Sequence, residues 1–118
     1  MLVSIYLRLV ITYQEARLDA LGDGTRRAIL ARLLDGPMAV GEIARDFPIT
    51  RPAISQHLRV LKTARLVLDR PDGNRRLYEL NPEAFESLRD YFDSFWTHAL
   101  AAFKTKVEAE RKNHETDN

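Results

Sequence analysis

Apolar and polar positions alternate at the start of the chain. Val3, Ile5, Leu7, Leu9 and Ile11 fall on one side, and Ser4, Tyr6, Arg8 and Thr12 on the other, with Val10 breaking the polar side. Period two with β-branched residues predicts a strand over residues 1–11, pairing across a dimer or covering an apolar surface. The competing reading extends the first helix back through these residues. Thr12-Tyr13-Gln14-Glu15 fits a capping box, so a helix is predicted from there to Leu21, stopping at Gly22. Asp23 suits the N-cap of the next helix, TRRAILARLL, whose Ile29, Leu30, Leu33 and Leu34 are expected on one face. Asp35-Gly36-Pro37 ends it. A third helix is predicted over 40–47 (VGEIARDF), closed by Pro48, because proline disfavours a helical residue before it. Thr50 caps a fourth, with Pro52 in its first turn, where a missing N–H matters little.

After Lys62 the period shifts. LVLDR and RRLYEL flank PDGN and predict a β-hairpin, with Gly73 free to take the positive φ of a tight turn. Asn81-Pro82-Glu83 then opens a long helix with a cap, an N1 proline and an acidic first turn. Phe85, Leu88, Phe92, Phe95, Trp96, Ala99, Leu100, Phe103 and Val107 run along it at helical spacing, and residues 111–118 form a polar tail expected to fray.

The predicted class is mainly α with a small β-hairpin wing. It is a winged helix-turn-helix of one domain (1–110), dimerising through its N- and C-terminal elements. An N-terminal arm occupies 1–22, the core 23–80 and a dimerisation helix 81–110.

Charge sharpens this picture. The formal net charge is only +1, yet residues 51–78 hold seven Lys/Arg against Asp69 and Asp72, while 1–50 balance to zero and 79–118 sum to −4. A basic block of this kind points to a polyanion partner, the bland alternative being a solvated charged face. With no cysteine, disulfides, thiolate metal sites and cysteine catalysis are excluded. The apolar start, MLVSIYLRLVITY, lacks a basic leader, carries Arg8 and is too short to span a bilayer, so a cytoplasmic protein is expected.

At about 100° per residue, Ile54, Leu58 and Leu61 cluster on one side of the fourth helix and face the core. Pro52, Ser55, Gln56 and Arg59 lie opposite, flanked by Arg51 and Lys62. A helix fits the major groove, where Arg can pair with guanine O6/N7 and Gln with adenine N6/N7. Thr50 and the backbone N–H groups at the helix start suit phosphate oxygens. Pro52 mainly shapes the first turn. His57, at the edge of the buried face, is a packed histidine, a phosphate contact or a base reader. Arg70, Arg75 and Arg76 bracket the hairpin tip, where a wing grips the backbone or enters the minor groove. Arg26 and Arg27 touch phosphates or form surface ion pairs.

GDGTRRAILARLL, VGEIARDFPITRPAISQHLRVLKTARLV and RPDGNRRLYEL together resemble the ArsR (arsenic-repressor) family of bacterial winged-helix regulators, over about residues 14 to 100. The run Ser55 to Val67 is specific in combination. The resemblance implies a homodimer built mainly from the first and last helices, binding an inverted-repeat operator, repressing transcription and releasing DNA when an inducer binds. Departures bear on the signal. Where many members carry a cysteine metal motif this chain has Glu42-Ile43-Ala44-Arg45-Asp46. Asp90, Asp93 and His98 lack the paired spacing of the other metal class, and His114 lies in the tail. No metal and no cofactor are therefore expected. Gly24 replaces a commoner proline and Ala39 a common Ser/Thr cap, which weakens two helix starts without changing the fold. The chain most resembles the cysteine-free, autorepressor-like branch.

Six aromatics between Phe85 and Phe103 exceed what one small core needs. Burial against a second copy is expected to involve Phe92, Phe95, Trp96, Ala99, Leu100 and Phe103, completed by Ile5, Leu9, Tyr13 and Leu18. The leading function is a DNA-binding repressor with helix 51–62 in the major groove and the 66–80 hairpin as wing. The alternatives are a protein-interaction module and a repressor sensing a small hydrophobic effector in its dimer interface. An enzyme is not expected: Ser55 and His57 are too close along one helix to act as nucleophile and base, and there is no glycine-rich phosphate loop.

Overall fold

The computed structural model describes residues 2–116, of which the side chains of Leu7, Val10, Ile11, Glu115 and Thr116 lie outside the description. Its elements are α1 (Leu2–Leu21), α2 (Gly24–Leu33), β1 (Met38–Ala39), α3 (Val40–Ala44), α4 (Arg51–Thr63), β2 (Val67–Asp72), β3 (Arg75–Leu80) and α5 (Pro82–Thr116). They fall into two compact units, Met1–Phe85 and Glu86–Asn118.

The expected N-terminal strand is corrected: the described residues before Thr12 are helical and continuous with those after it. Nearly every residue from Leu2 to Ile11 is apolar, so the stretch satisfies period two and period 3.6 alike, and the helical run that follows decides between them. The capping box falls with the strand. Thr12 lies inside α1, where its hydroxyl donates back to the Arg8 carbonyl at 2.7 Å. The side chains of Leu7 and Ile11, assigned to the strand's apolar side, lie outside the described residues.

Two of the predicted helix caps form as expected. Asp23 caps α2 by accepting from the Arg26 backbone N–H at 3.0 Å. Thr50 caps α4 by accepting from the Ala53 N–H at 3.3 Å. Leu34 departs from the expected apolar face: it sits past the last turn of α2 and is 74% exposed, while Ile29, Leu30 and Leu33 are buried. α3 is shorter than 40–47. Ala39 offers no side-chain cap, and toward Pro48 the chain tightens into i→i−3 bonds, Asp46 N–H to Ile43 and Phe47 N–H to Ala44. Residues 111–116 continue α5 instead of leaving it, and residues 117–118 of the expected tail lie outside the described residues.

The hairpin is joined by Gly73-Asn74, with Asp72 opposite Arg75. Gly73 takes φ +61° and Asn74 stays at negative φ, the pattern of a II′ turn. A two-residue strand unseen in the sequence pattern completes the sheet. β1 pairs antiparallel with β3, Met38 opposite Tyr78 and Ala39 opposite Leu77, so the order is β1-β3-β2. The core of the first unit gathers Ile29 and Leu33 from α2, Ile43 from α3, Ile54, Leu58 and Leu61 from α4, and Leu66 and Val67 from the start of the hairpin. No helix among the described residues is long and apolar enough to cross a membrane.

α4 ends in a Schellman motif. The Leu66 N–H donates to the Leu61 carbonyl at 3.0 Å and the Arg65 N–H to that of Lys62 at 2.9 Å, with Arg65 in the left-handed region at φ 61°. Leu61 and Leu66, the positions at which such a motif places its hydrophobic pair, are both buried. The Asn81 amide donates to the Arg65 carbonyl at 2.8 Å, and the Arg17 guanidinium to that of Ala64 at 3.1 Å. Three successive carbonyls at the end of α4 thus have partners, since the Asn81 N–H takes Leu66 at 3.0 Å.

Candidate nucleic-acid interface

α4 sorts its side chains cleanly. Ile54, Leu58 and Leu61 are inaccessible to solvent, whereas Arg51, Pro52, Ser55, Gln56, Arg59 and Lys62 are exposed, as is the cap Thr50. Arg51 and Arg59 make no ion pair among the described residues, so their guanidiniums are uncommitted. His57 is half-buried beside the start of α2. The Arg26 backbone N–H holds the Asp23 carboxyl below the usual carboxylate range, with smaller help from the Arg26 and His57 charges.

Strand parity divides the wing. Val67, Asp69 and Pro71 of β2 lie opposite Leu80, Tyr78 and Arg76 of β3, and these share one face of the hairpin. Leu68, Arg70 and Asp72 lie opposite Glu79, Leu77 and Arg75 on the other. The three arginines expected to bracket the tip are therefore split, with Arg76 on the face that carries buried Val67 and Arg70 and Arg75 on the reverse.

Each wing cation has an acidic partner. Asp69 joins Arg76 of the wing to Lys62 of α4: its Oδ2 accepts from Arg76 Nε at 2.9 Å and from Lys62 Nζ at 3.1 Å, and Lys62 Nζ also lies 3.0 Å from Oδ1. Arg75 links Glu42 of α3 at 2.6 Å to Asp72 at 3.3 Å, and Arg70 lies 3.7 Å from Glu79. Burial pushes the Asp69 carboxyl up, but hydrogen bonds from Lys62 and Arg76 outweigh it and leave the carboxyl below its ordinary range. Any stability from this cluster is present above the ordinary carboxylate pKa and is lost as pH falls through the lower folded value. At neutral pH the Asp69 carboxyl is ionised.

Of the two roles foreseen for Arg26 and Arg27, the surface ion pair is not formed among the described residues. Arg26 donates to the Ala20 carbonyl at 2.7 Å and the Asp19 carbonyl at 3.3 Å, and Arg27 to that of Leu21 at 2.7 Å. Both close the C-terminus of α1, where the unpaired carbonyls and the helix dipole favour cations. Sequence reasoning also missed the acids that order the wing, Glu42 and Asp69. For Asp69 a signal existed: it is two residues from Val67 on the same face, so an inward carboxylate had to find cations.

Of the residues expected at a dimer interface, Ile5, Leu9 and Tyr13 are exposed along one side of α1, and Leu18 is half-buried on the opposite side. In the second unit, Phe92, Phe95, Trp96, Leu100 and Phe103 are 42–66% exposed and share an arc of α5 with exposed Ala99. Phe95 and Trp96 meet edge to face at 6.2 Å, a contact local to the helix. His98 bonds back to the Ser94 carbonyl at 2.8 Å. Among the described residues no three His, Asp or Glu side chains converge as metal ligands would.

Comparison with known proteins adds to this geometry. Residues 23–68 match the model of the bacterial regulatory proteins of the arsR family. Over 92 residues the chain is 59% identical to the HTH-type transcriptional regulator Rv2034 of Mycobacterium tuberculosis, covering 78% of this chain and 86% of that one. It is 38% identical over 76 residues to the transcriptional repressor SdpR of Bacillus subtilis, covering 64% of this chain and 84% of that one. Among solved structures, it is similar to the homodimeric winged helix-turn-helix DNA-binding domain of Mb0332 from Mycobacterium bovis, a possible ArsR-family regulator. The TM-score is 0.58 at 28% identity, over 80% of this chain and 82% of that one.

Proposed function

The chain belongs to the arsR family of bacterial regulatory proteins, and on that premise we propose a homodimeric repressor that lays helix 51–62 in the major groove of an inverted-repeat operator, with the 66–80 hairpin as wing. It is a DNA-binding transcription regulator and not an enzyme. The observation that carries the groove reading is the division of α4, three apolar residues withdrawn from solvent and Ser55, Gln56 and Arg59 turned out to it. Arg59 supplies a fork for guanine and Gln56 an amide for adenine, while Thr50, Arg51 and the first turn of α4 meet phosphate. Arg70 and Arg75 exchange their carboxylate partners for phosphate oxygens on binding, while Lys62 and Arg76 meet phosphate with their remaining N–H donors and stay paired to Asp69.

The homodimeric state of the M. bovis domain and the exposed apolar arcs of α1 and α5 support pairing of two copies. A two-fold dimer sets its recognition helices about 34 Å apart, one turn of B-DNA. The aromatics of α5 are also where an apolar effector would lodge between copies. The protein acts in the cytoplasm, on the DNA upstream of its own gene.

Footprinting on that upstream DNA, followed by titration at several salt concentrations, tests the reading. Arg59→Ala is expected to lower affinity for the footprinted site and relax its base preference. Arg75→Ala weakens all sequences alike and flattens the salt slope by about 0.9, the signature of one lost phosphate contact. Equal losses on specific and random DNA for Arg59→Ala would refute its base-reading role.

A further inference from the structure

We propose that Asp69 is a positioning residue of the DNA-binding surface, holding the last turn of the recognition helix and the second wing strand at a fixed separation through Lys62 and Arg76. The inference rests on the reading of α4 and the hairpin as the DNA interface. Its geometry is specific. The Asp69 side chain is only 9% exposed, while its two partners, at 3.0 Å and 2.9 Å, are 54% and 53% exposed. The carboxylate is therefore drawn in behind two cations that remain open to solvent. The cations come from different elements, α4 and β3, and the carboxylate from a third, β2. No other acid paired with a wing cation is so placed: Glu42, Asp72 and Glu79 are all 37–51% exposed.

On charge alone this residue is in the wrong place. A carboxylate beside Lys62 and Arg76 cancels part of the attraction that these cations exert on phosphate. Nor does a three-charge cluster with both cations in water have much to offer fold stability, since exposed ion pairs contribute little. What the carboxylate supplies is order. Lys and Arg lose rotamer freedom when they engage a phosphate, and side chains already held in one geometry lose less. With the Asp69 charge removed, two like charges are left converging on a neutral group and repel each other. The wing and the recognition helix then lose the pin that sets their spacing across the groove.

The two accounts predict opposite signs. If Asp69 acts only as a charge, Asp69→Asn tightens binding to every duplex by the same factor. If it positions, Asp69→Asn weakens the footprinted duplex about tenfold, the discrimination carried by roughly one base pair, while a shuffled duplex of the same length is bound as well or better. Asp69→Glu, which restores the charge, recovers part of the preference. A DNA-free readout accompanies the titration: nitrogen-detected NMR of Lys62 Nζ and Arg76 Nε in the full chain shows restricted groups in the wild type and mobile ones in Asp69→Asn.

Parallel tightening on both duplexes, an unchanged preference, or side-chain signals equally mobile in both proteins would each overturn the role. So would parallel weakening on both duplexes with a lowered Tm, which marks damage to the fold. A wild-type chain with no preference for its own upstream DNA is a different failure. It removes the DNA interface itself, and it is recognised before any variant is measured.

Discussion

Two helices of this chain carry well-formed apolar stripes and meet opposite fates. In α4 the stripe is three residues long, and Ile54, Leu58 and Leu61 are wholly withdrawn from solvent. In α5 it runs past Phe92 to Val107, and its aromatics stand largely in water. Periodicity is a statement about one helix. Burial is a statement about what lies opposite, and a unit of this size can cover one face of a short helix but not a further four turns. The polar face of α4 and the apolar face of α5 are thus complementary announcements, the first of a solvated, charged partner and the second of an apolar one. The proposed dimeric DNA-binding protein requires both.

The contrast can be broken most forcefully at α5. Trp96→Glu is expected to raise the dimer dissociation constant by at least about a thousandfold, because a two-fold interface counts each substitution twice and loses about 2 kcal/mol or more per buried large side chain. Native mass spectrometry reads the change directly, and an unaltered dimer would place the interface elsewhere. Next in size is Leu58→Ala, expected to cost about 2–5 kcal/mol by urea denaturation, since a filled core position becomes a cavity. Leu100→Ala is its control. With its side chain already 62% exposed, it should leave monomer stability nearly untouched and alter only the dependence of Tm on protein concentration.

Smaller effects sharpen the α4 side. Thr50→Ala removes the bond to the Ala53 N–H and should cost about 1 kcal/mol, seen as a fall of about 4 °C in Tm. Smallest, and opposite in sign, is Arg65→Gly. Arg65 occupies a left-handed position that glycine accepts without strain, so the variant should gain up to about 1 kcal/mol, less the extra chain entropy of glycine in the unfolded state. A destabilised Arg65→Gly would show that the arginine side chain makes a contribution the backbone geometry conceals.

Much of the first unit was legible because its signals are short-range. Asp23 and Thr50 cap through a side chain that reaches three residues along, and Gly73 turns two strands joined by two residues. Where the sequence misled, the deciding interaction was weakly encoded or distant. Residues 2–11 are too uniformly apolar for their period to choose between strand and helix. Met38–Ala39 is too short to carry any period, and becomes a strand only because Leu77 and Tyr78 of β3 lie alongside. Leu34 matches the apolar spacing of α2 but falls just beyond its last turn. Arg26 and Arg27 read as surface charge until the end of α1 was seen within their reach.

The candidate interface divides in the same way. The residue types of α4, its two faces and the basic block that follows were written in the chain itself, because helical geometry converts spacing into direction without reference to anything else. Which cations stand free and which are held was settled only by tertiary structure. Arg51 and Arg59 are uncommitted among the described residues, whereas Lys62 and Arg76 converge on one withdrawn carboxylate, fourteen positions apart in the chain and joined by Asp69. Coulomb attraction depends on distance in space, and only folding brings a helix end and two strands to within 3 Å of a common point.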